Sequence, residues 1–559
     1  MRFLPESHSA VDSSTQSIAV PSMPCRTALI ASRSRMITFL AVCFASLIAQ
    51  PPSSHAQIPI NARTPLGVYV HVDVLDVINL YGGTSQDQGC AQSSPDLHTY
   101  LRCFYAKLLA NPAISGIIAG LHWDQIELDN PLCAINRSCT TSPDGYDWSY
   151  ADDVFAEANA AHKAVALNIT AGTDAPIWLL NLIPSCDGLF TGSGTAPLDC
   201  GKATFVNFPE AKRADGNPPV LPLPWNPLYL LAWDDFLVNV NARYNSNPAF
   251  VSISIAGPMC ASNEMILPTT ANGSTQVSGL PADEAWQKLI HHSFPFRPGY
   301  ENSDQVFIDA GKQAIDAYEA IFSGITIVSN PDAADDFPEQ PYPFVVHPDN
   351  TLYAVDCSTA TESPMSCEAK TEILSYFVTA RGRNEKSTQV GGMTAGTDTN
   401  TGEIGVAGIK VLTSLSPPPD PPILGGAEFD LEVSSKSTIL EQGCPNYSPM
   451  NLNPADCKYL TLEQAAFNTF TVFFDATPDA TDFGGSTSIP PIRNAPIQYV
   501  AVDFQDLQYA QDPANTCQTF LPSMTPGPPS LQDIYNQASY DLLTMAGKPA
   551  TLPPSTCNP

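Results

Sequence analysis

The stretch DGYDWSYADDVFAEANAAHKAVALNITAG (residues 144–172) sets a helical pattern directly before an apolar run. Its spacing of apolar residues predicts a helix over 150–163, and the β-branched run that follows predicts a buried strand over 164–171. A helix leading into a strand of this kind is typical of a parallel sheet with crossover helices. The fold class therefore depends on how often the unit recurs.

Eight such runs occur along the chain. They cover 67–73, 114–125, 164–171, 250–257, 325–329, 389–395, 423–429 and 497–503. Helices are predicted between or after them at 97–110, 150–163, 228–244, 306–322, 368–381 and 531–546. Eight strands with crossovers predict an α/β fold, a (β/α)8 TIM barrel. A doubly wound open sheet is the alternative, but the glycine-rich phosphate turn typical of that fold does not follow 67–73.

The N-terminal region predicts export. An apolar segment at 36–49 follows several arginines, and small residues precede a cleavage point after residue 56, which is the pattern of a secretory signal. We therefore expect 1–56 to be a presequence and signal peptide, and 57–559 to be a secreted barrel domain without a membrane span. Two long insertions, near 184–223 and 443–491, are expected among its loops.

The charge balance limits the partners. The chain of 559 residues has 25 Lys and Arg against 56 Asp and Glu, a net charge of −31. Without the presequence the imbalance is 21 against 54, or about −33. Such a field repels nucleic acid and anionic membranes, so we expect neither as a partner and favour a neutral one.

Cysteine spacing supports an oxidising compartment. Two of the 15 cysteines belong to the presequence, and twelve of the others form neighbouring couples that we expect to be disulfides clamping long loops. The couples are Cys90/Cys103, Cys133/Cys139, Cys186/Cys200, Cys357/Cys367, Cys444/Cys457 and Cys517/Cys557. Cys260 is left over, and we expect a buried thiol there. The CxxC and Cys/His spacings of zinc sites are missing, so no metal or cofactor is expected.

Two glutamates follow strands that a barrel would bring together. Glu264, beside Asn263, comes after the fourth predicted strand, and Glu428 lies near the end of the seventh. The carboxyl ends of barrel strands share one face, so the two carboxyl groups are expected to converge there. Paired carboxylates in one cleft are the apparatus of glycoside hydrolysis. The alternative for a lone Asn-Glu pair is a solvated loop.

This order resembles the retaining (β/α)8 glycoside hydrolases of clan A, which include barrel β-galactosidases and cellulase-like enzymes. LHWDQIELDNP (121–131), PIWLL (176–180) and PWNPLYLLAWDDFLVNVNARY (224–244) are also similar to that group. The resemblance implies that Glu264 is the acid/base, that Glu428 is the nucleophile, and that Asn263 donates to the 2-hydroxyl group of the sugar. Asp430 and Glu432 are the alternative nucleophiles, because they share a strand face with Glu428 if the strand continues. It implies a secreted enzyme acting on a polysaccharide or oligosaccharide, and the alternative is a carbohydrate-binding barrel without catalysis.

Four further residues are candidates for contact with substrate. Trp123, Trp178 and Trp225 lie at a strand end or in loops, where an indole face could stack on a sugar ring. Core or loop packing is the alternative for each of them. His122, next to Trp123, could contact a sugar hydroxyl group.

Overall fold

The computed structural model describes several separate segments of the chain. These are 63–81, 89–90, 94–191, 194–206, 218–255, 267–268, 276–277, 279–293, 305–328, 373, 376, 388–394, 425–430, 497–511 and 530–554.

An α/β fold with a curled parallel sheet forms the centre of the described chain. Twelve strands are described: β1 (Gly67–Asp73), β2 (Ile114–His122), β3 (Ala164–Thr170), β4 (Lys202–Thr204), β5 (Val220–Pro222), β6 (Phe250–Ser254), β7 (Gln276–Val277), β8 (Leu280–Pro281), β9 (Thr326–Val328), β10 (Thr388–Thr394), β11 (Gly425–Asp430) and β12 (Ile497–Asp503). Eight of them make one sheet in the order β10-β11-β12-β1-β2-β3-β6-β9, in which every neighbouring pair is parallel.

Helices pack against β1, β2, β3 and β12 of this sheet. The described helices are α1 (Val74–Leu80), α2 (Leu97–Leu109), α3 (Trp123–Ile126), α4 (Leu132–Asn136), α5 (Ser149–Ala161), α6 (Ile177–Leu182), α7 (Pro227–Tyr244), α8 (Ala282–Ser293), α9 (Gln305–Ile321), α10 (Phe504–Gln511) and α11 (Leu531–Met545). None of the described helices combines the length and apolarity that a membrane span needs.

The two faces of the sheet bury different residues because successive side chains of a strand alternate. Val68, Val70 and Val72 of β1 join the large core beneath the helices. Tyr69 points to the opposite, inner face, where its ring meets that of Tyr499 of β12 edge to face at 5.7 Å. Pairing of the last strand with the first brings these rings together and curls the sheet.

The strand order differs from that of the doubly wound alternative. A doubly wound sheet reverses its strand order at a switch point. Here the chain adds β2, β3, β6 and β9 in sequence on one side of β1, and β12, β11 and β10 follow on the other side. The eight predicted strands are therefore all present, and the edges of the described sheet are β9 and β10.

Two small antiparallel pairs were not predicted. Strands β4 and β5 form a ribbon inside the expected insertion at 184–223, and β7 and β8 form a second one. Three of the expected disulfides are present, Cys90–Cys103, Cys133–Cys139 and Cys186–Cys200. The other three couples, Cys260, the presequence and the insertion at 443–491 lie outside the described residues.

Candidate functional site

Ionisable side chains meet where β1, β2 and β3 end. Asp73, His122 and Thr170 are the last residues of these strands, and Asp174 lies in the 3-10 turn that follows β3. In a parallel sheet all strands end at the same edge, so the three strand ends bring the four side chains into one cluster. We call Asp73, His122 and Asp174 the edge triad.

His122 lies between the two carboxylates of the edge triad. Its Nδ1 is 2.7 Å from Oδ2 of Asp174, and its Nε2 is 3.1 and 3.2 Å from the two carboxylate oxygens of Asp73. The hydroxyl group of Thr170 donates to Oδ2 of Asp174 and lies 3.1 Å from Nδ1. Both ring nitrogens therefore have carboxylate partners.

The carboxylates favour the imidazolium form. Burial lowers the pKa of His122, but the charges and hydrogen bonds of Asp174 and Asp73 outweigh it, and the pKa stands well above its usual value. Burial raises the pKa of Asp73, yet the hydrogen bond and charge of His122 bring it below its usual value. The pKa of Asp76, in the first turn of α1, is raised by burial and by the charge of Asp73.

Two local features hold Asp73 in place. Its carboxylate accepts from the backbone N–H of Leu75 at 2.7 Å and so caps α1. Gly120 of β2 lies beside it in register, and a Cβ there would stand 3.0 Å from the Cα of Asp73 and 3.1 Å from its Oδ2. Glycine at 120 therefore provides the space that the carboxylate occupies.

A second buried acid lies behind the strand ends. Glu127 accepts from Nε1 of Trp123 at 2.6 Å and from the hydroxyl group of Tyr146 at 3.4 Å, and this hydroxyl accepts from the amide of Asn239 at 3.1 Å. Burial raises the pKa of Glu127 to about 8, so its carboxyl group holds a proton at neutral pH.

The structure buries two of the three tryptophans predicted to bind substrate. Trp123 is fully buried and packs against Tyr229 and Trp233. Trp225 is also buried, and its Nε1 donates to Ser293 at 3.1 Å. Neither offers an indole face to a ligand, because both rings are enclosed by core side chains. Trp178 of α6 keeps partial exposure.

The predicted catalytic residues fall mostly outside the described residues. Asn263 and Glu264 lie outside them entirely. Glu428 lies in β11, in register with Gly392 of β10 and Ala501 of β12, and its side chain is outside the description. Their roles stay predictions.

Sequence reasoning missed Asp73, Asp174 and Glu127. Asp73 ends a strand whose limits were predicted, so its place at the sheet edge could have been found from the same rule that selected the glutamates. The position of Asp174 depends on the turn after β3, and that of Glu127 depends on how Trp123 packs. The sequence pattern of a strand contains neither piece of information.

Only one group of possible metal ligands stands out among the described residues, Asp129 with Cys133 and Cys139. The two sulfur atoms are joined in a disulfide, so they do not offer the thiolates that bind metal.

The described chain is thus an α/β protein with a curled parallel sheet and an ionisable cluster at the carboxyl edge of that sheet. No protein-family model matches it, and no curated protein does either. Among solved structures it is similar to one described as the monomer structure of a hyperthermophilic beta-glucosidase mutant that forms a dodecamer in the crystal. The TM-score is 0.35 at 10% identity, over 80% of this chain and 91% of the other.

Proposed function

We propose that the protein is a secreted retaining glycoside hydrolase that cleaves a polysaccharide or oligosaccharide by double displacement. One observation carries the proposal: β6 and β11, the strands that precede Glu264 and contain Glu428, run parallel in the same sheet. Their carboxyl ends therefore share an edge with the edge triad. Glycoside hydrolysis needs two carboxyl groups facing one bond, and strands that end at one edge can bring Glu264 and Glu428 there.

We also propose that the curled sheet is a closed barrel. The sheet closes between β9 and β10 into a (β/α)8 barrel, whose strand ends form the mouth of a cleft. The Cα atoms of these two edge strands come within 8 Å of each other, which supports closure. Residues 1–56 are removed on export, and the insertions at 184–223 and 443–491 border the cleft.

The proposed roles follow the two-step mechanism. Glu428 attacks the anomeric carbon while Glu264 protonates the leaving oxygen, and Glu264 then deprotonates the water that releases the sugar. Asn263 donates to the 2-hydroxyl group. Trp178, which is partly exposed, stacks on a sugar at the rim of the cleft. No metal or cofactor takes part in this proposal.

A turnover screen tests the proposal. Wild-type protein is incubated with aryl glycosides and with plant and microbial glycans, beside the variants Glu264→Ala and Glu428→Ala. We expect hydrolysis by the wild type and none by Glu428→Ala. Glu264→Ala should keep slow activity on substrates with good leaving groups, and azide should accelerate it by attacking the glycosyl-enzyme.

One result would instead favour the alternative function. Binding of a glycan without hydrolysis at any pH from about 4 to 7 would make the protein a carbohydrate-binding barrel without catalysis. Asn384→Ala and Glu385→Ala are the control variants, because this second Asn-Glu pair follows no predicted strand. Their turnover should equal that of the wild type.

A further inference from the structure

We propose that Asp73 and Asp174 form a subsite for the hydroxyl groups of a neutral sugar, and that His122 is a positioning residue that braces both carboxylates without touching the ligand. The inference rests on the proposed function for its ligand class. It differs from the sequence-based expectation, in which His122 itself contacts the sugar.

The hydrogen bonds of His122 leave it no donor for a ligand. An imidazolium ring has two N–H groups, and here one meets Asp174 at 2.7 Å while the other meets Asp73 at 3.1 Å. Exposure agrees, since the side chain of His122 is 12% exposed against 30% for Asp73 and 21% for Asp174. The carboxylates, and not the ring, are the groups that a ligand can reach.

The carboxylates keep acceptor capacity. Both contacts of Asp174 described above use Oδ2, so within the described chain its Oδ1 remains for a ligand. An ionised carboxylate offers about four acceptor positions. Asp73 uses one of its positions on the backbone of Leu75 and shares others with His122. Neighbouring hydroxyl groups of a sugar can therefore donate to either acid.

A buried amide provides a second, independent observation. Asn168 is 2% exposed, and its Oδ1 has no hydrogen-bond partner among the described residues. It lies two residues before Thr170, on the same face of β3, and its register neighbour is Gly120, beside Asp73. An unfilled acceptor next to a residue without a side chain is suited to a hydroxyl donor.

The charge of the triad favours a neutral ligand. Two carboxylates and one imidazolium carry a net charge of minus one. The charge of Asp73 also acts on Asp76, and the charge of His71 acts on both acids. A uronic acid would bring another carboxylate towards Asp73 and Asp174, and like charges at short range repel. The subsite should bind neutral sugars and reject their uronate counterparts.

Binding measurements with matched variants test the subsite. Short neutral gluco- and galacto-oligosaccharides are the probes, with tetragalacturonate as the anionic one, and calorimetry gives Kd. The variants are Asp73→Asn, Asp174→Asn and His122→Gln. Asparagine can still cap α1, so Asp73→Asn should fold. Asp96→Asn, which changes the cap of α2, and His98→Gln, which removes a pair with Asp153, are the controls.

We expect each of the three variants to weaken binding of the neutral probe about tenfold or more, because a hydrogen bond to a charged group is lost or misdirected. Tetragalacturonate should bind the wild type at least tenfold more weakly than the neutral probe. The controls should bind like the wild type. Equal affinity for the anionic probe, or unchanged affinity in Asp73→Asn and Asp174→Asn, would overturn the subsite.

A mutant cycle separates bracing from direct contact. His122→Gln is measured again in the Asp73→Asn, Asp174→Asn background, where there are no carboxylates to brace. Its cost should nearly vanish there, because the effects of a positioning residue and its targets are not additive. The same fold-loss in both backgrounds would mean that His122 contacts the sugar, and the inference would fail.

Nitrogen NMR of His122 tests the brace without any ligand. Both ring nitrogens should stay protonated at neutral pH in the wild type, and Asp174→Asn should lower the pKa of His122 because one of its two carboxylate partners is lost. A ring that is neutral at pH 7 in the wild type overturns the inference even if the enzyme hydrolyses glycans. Absence of all binding and hydrolysis would instead overturn the proposed function, and the ligand assignment with it.

Discussion

The buried carboxyl group of Glu127 should make the stability of the fold depend on pH. Its pKa is about 8 in the folded chain, against an ordinary value near 4.5. The unfolded chain therefore releases this proton at lower pH than the folded chain does. The stability that the neutral acid contributes is complete below about pH 4.5 and is lost as the pH rises to about 8.

Glu127→Gln should remove this pH dependence. The glutamine side chain is neutral at all pH values, and its carbonyl group can still accept from Trp123. The free energy of unfolding of the variant should gain on that of the wild type by about 1.4 kcal/mol per pH unit between pH 5 and 8. Urea unfolding at several pH values measures the difference.

Asp96 serves as the control with the opposite sign. Hydrogen bonds from Thr99 lower its pKa, so its contribution is present above the ordinary value and is lost as the pH falls. Between pH 5 and 8 this contribution is complete, so Asp96→Asn should cost the same stability at every pH in that range. A parallel pH dependence of the two variants would contradict the description of Glu127.

The two glycines of β2 should differ in how well they tolerate an added methyl group. A Cβ at Gly116 would overlap the ring of Tyr69 and lie 2.7 Å from the backbone oxygen of Ala164, whereas a Cβ at Gly120 would lie 3.0 Å from Asp73. Gly116→Ala should cost about 2 kcal/mol or more of unfolding free energy, because overpacking forces backbone shifts. Gly120→Ala should cost less, but it should displace the carboxylate of Asp73.

Unfolding curves and His122 titration separate the two glycine variants. Gly116→Ala should unfold at lower denaturant concentration than the wild type, and His122 should titrate as it does in the wild type. Gly120→Ala should keep most of its stability and change the titration. The reverse pattern would mean that Gly120, and not Gly116, is the packing position.

At the scale of elements, the sequence predicted strands well because their pattern is local. Strands β1 and β12 have the predicted limits, and β2 ends three residues early because the chain enters α3 at Trp123. The ribbon of β4 and β5 was missed since its strands have three residues each, too few for a periodic pattern.

The site was harder to predict than the strands. A strand end shows which edge a residue reaches, which is enough for His122. It does not show that both ring nitrogens of His122 are paired with the carboxylates of Asp73 and Asp174. Those contacts depend on the register of three strands. Burial of Trp123 and Trp225 likewise depends on distant helices that the local pattern does not contain.

Two of the described disulfides should contribute differently to the free energy of unfolding. Cys186–Cys200 spans 14 residues of sequence and Cys133–Cys139 spans 6. Chain entropy predicts that removing the first costs about 3 kcal/mol and removing the second about 2 kcal/mol. Cys186→Ala with Cys200→Ala should therefore unfold at lower denaturant concentration than the variant with Cys133→Ala and Cys139→Ala. A reversed order would mean that packing of the two loops, and not loop closure, decides the cost.

At the scale of the whole molecule, the sheet explains why residues far apart in sequence can act together. The edge triad lies where the first three parallel strands end. Of the proposed catalytic glutamates, Glu264 follows the fourth strand in chain order and Glu428 lies in the seventh. The pairing of β12 with β1 joins the first and last described strands in one sheet. The proposed cleft needs the strands in chain order on either side of β1, which the described sheet has.

The stereochemistry of the product tests this arrangement in solution. If Glu264 and Glu428 act as acid/base and nucleophile, their carboxyl groups should lie ~5 to 5.5 Å apart, too close to admit water between nucleophile and sugar. Hydrolysis should then pass through a glycosyl-enzyme and retain the anomeric configuration. Proton NMR of the first-formed anomer measures this, with Asp96→Asn as a control that should give the same anomer. An inverted product would imply a separation nearer ~9 Å, with a water molecule as the attacking group. Glu428 would then lose its role as nucleophile, whereas the edge triad would keep its place at the ends of β1, β2 and β3.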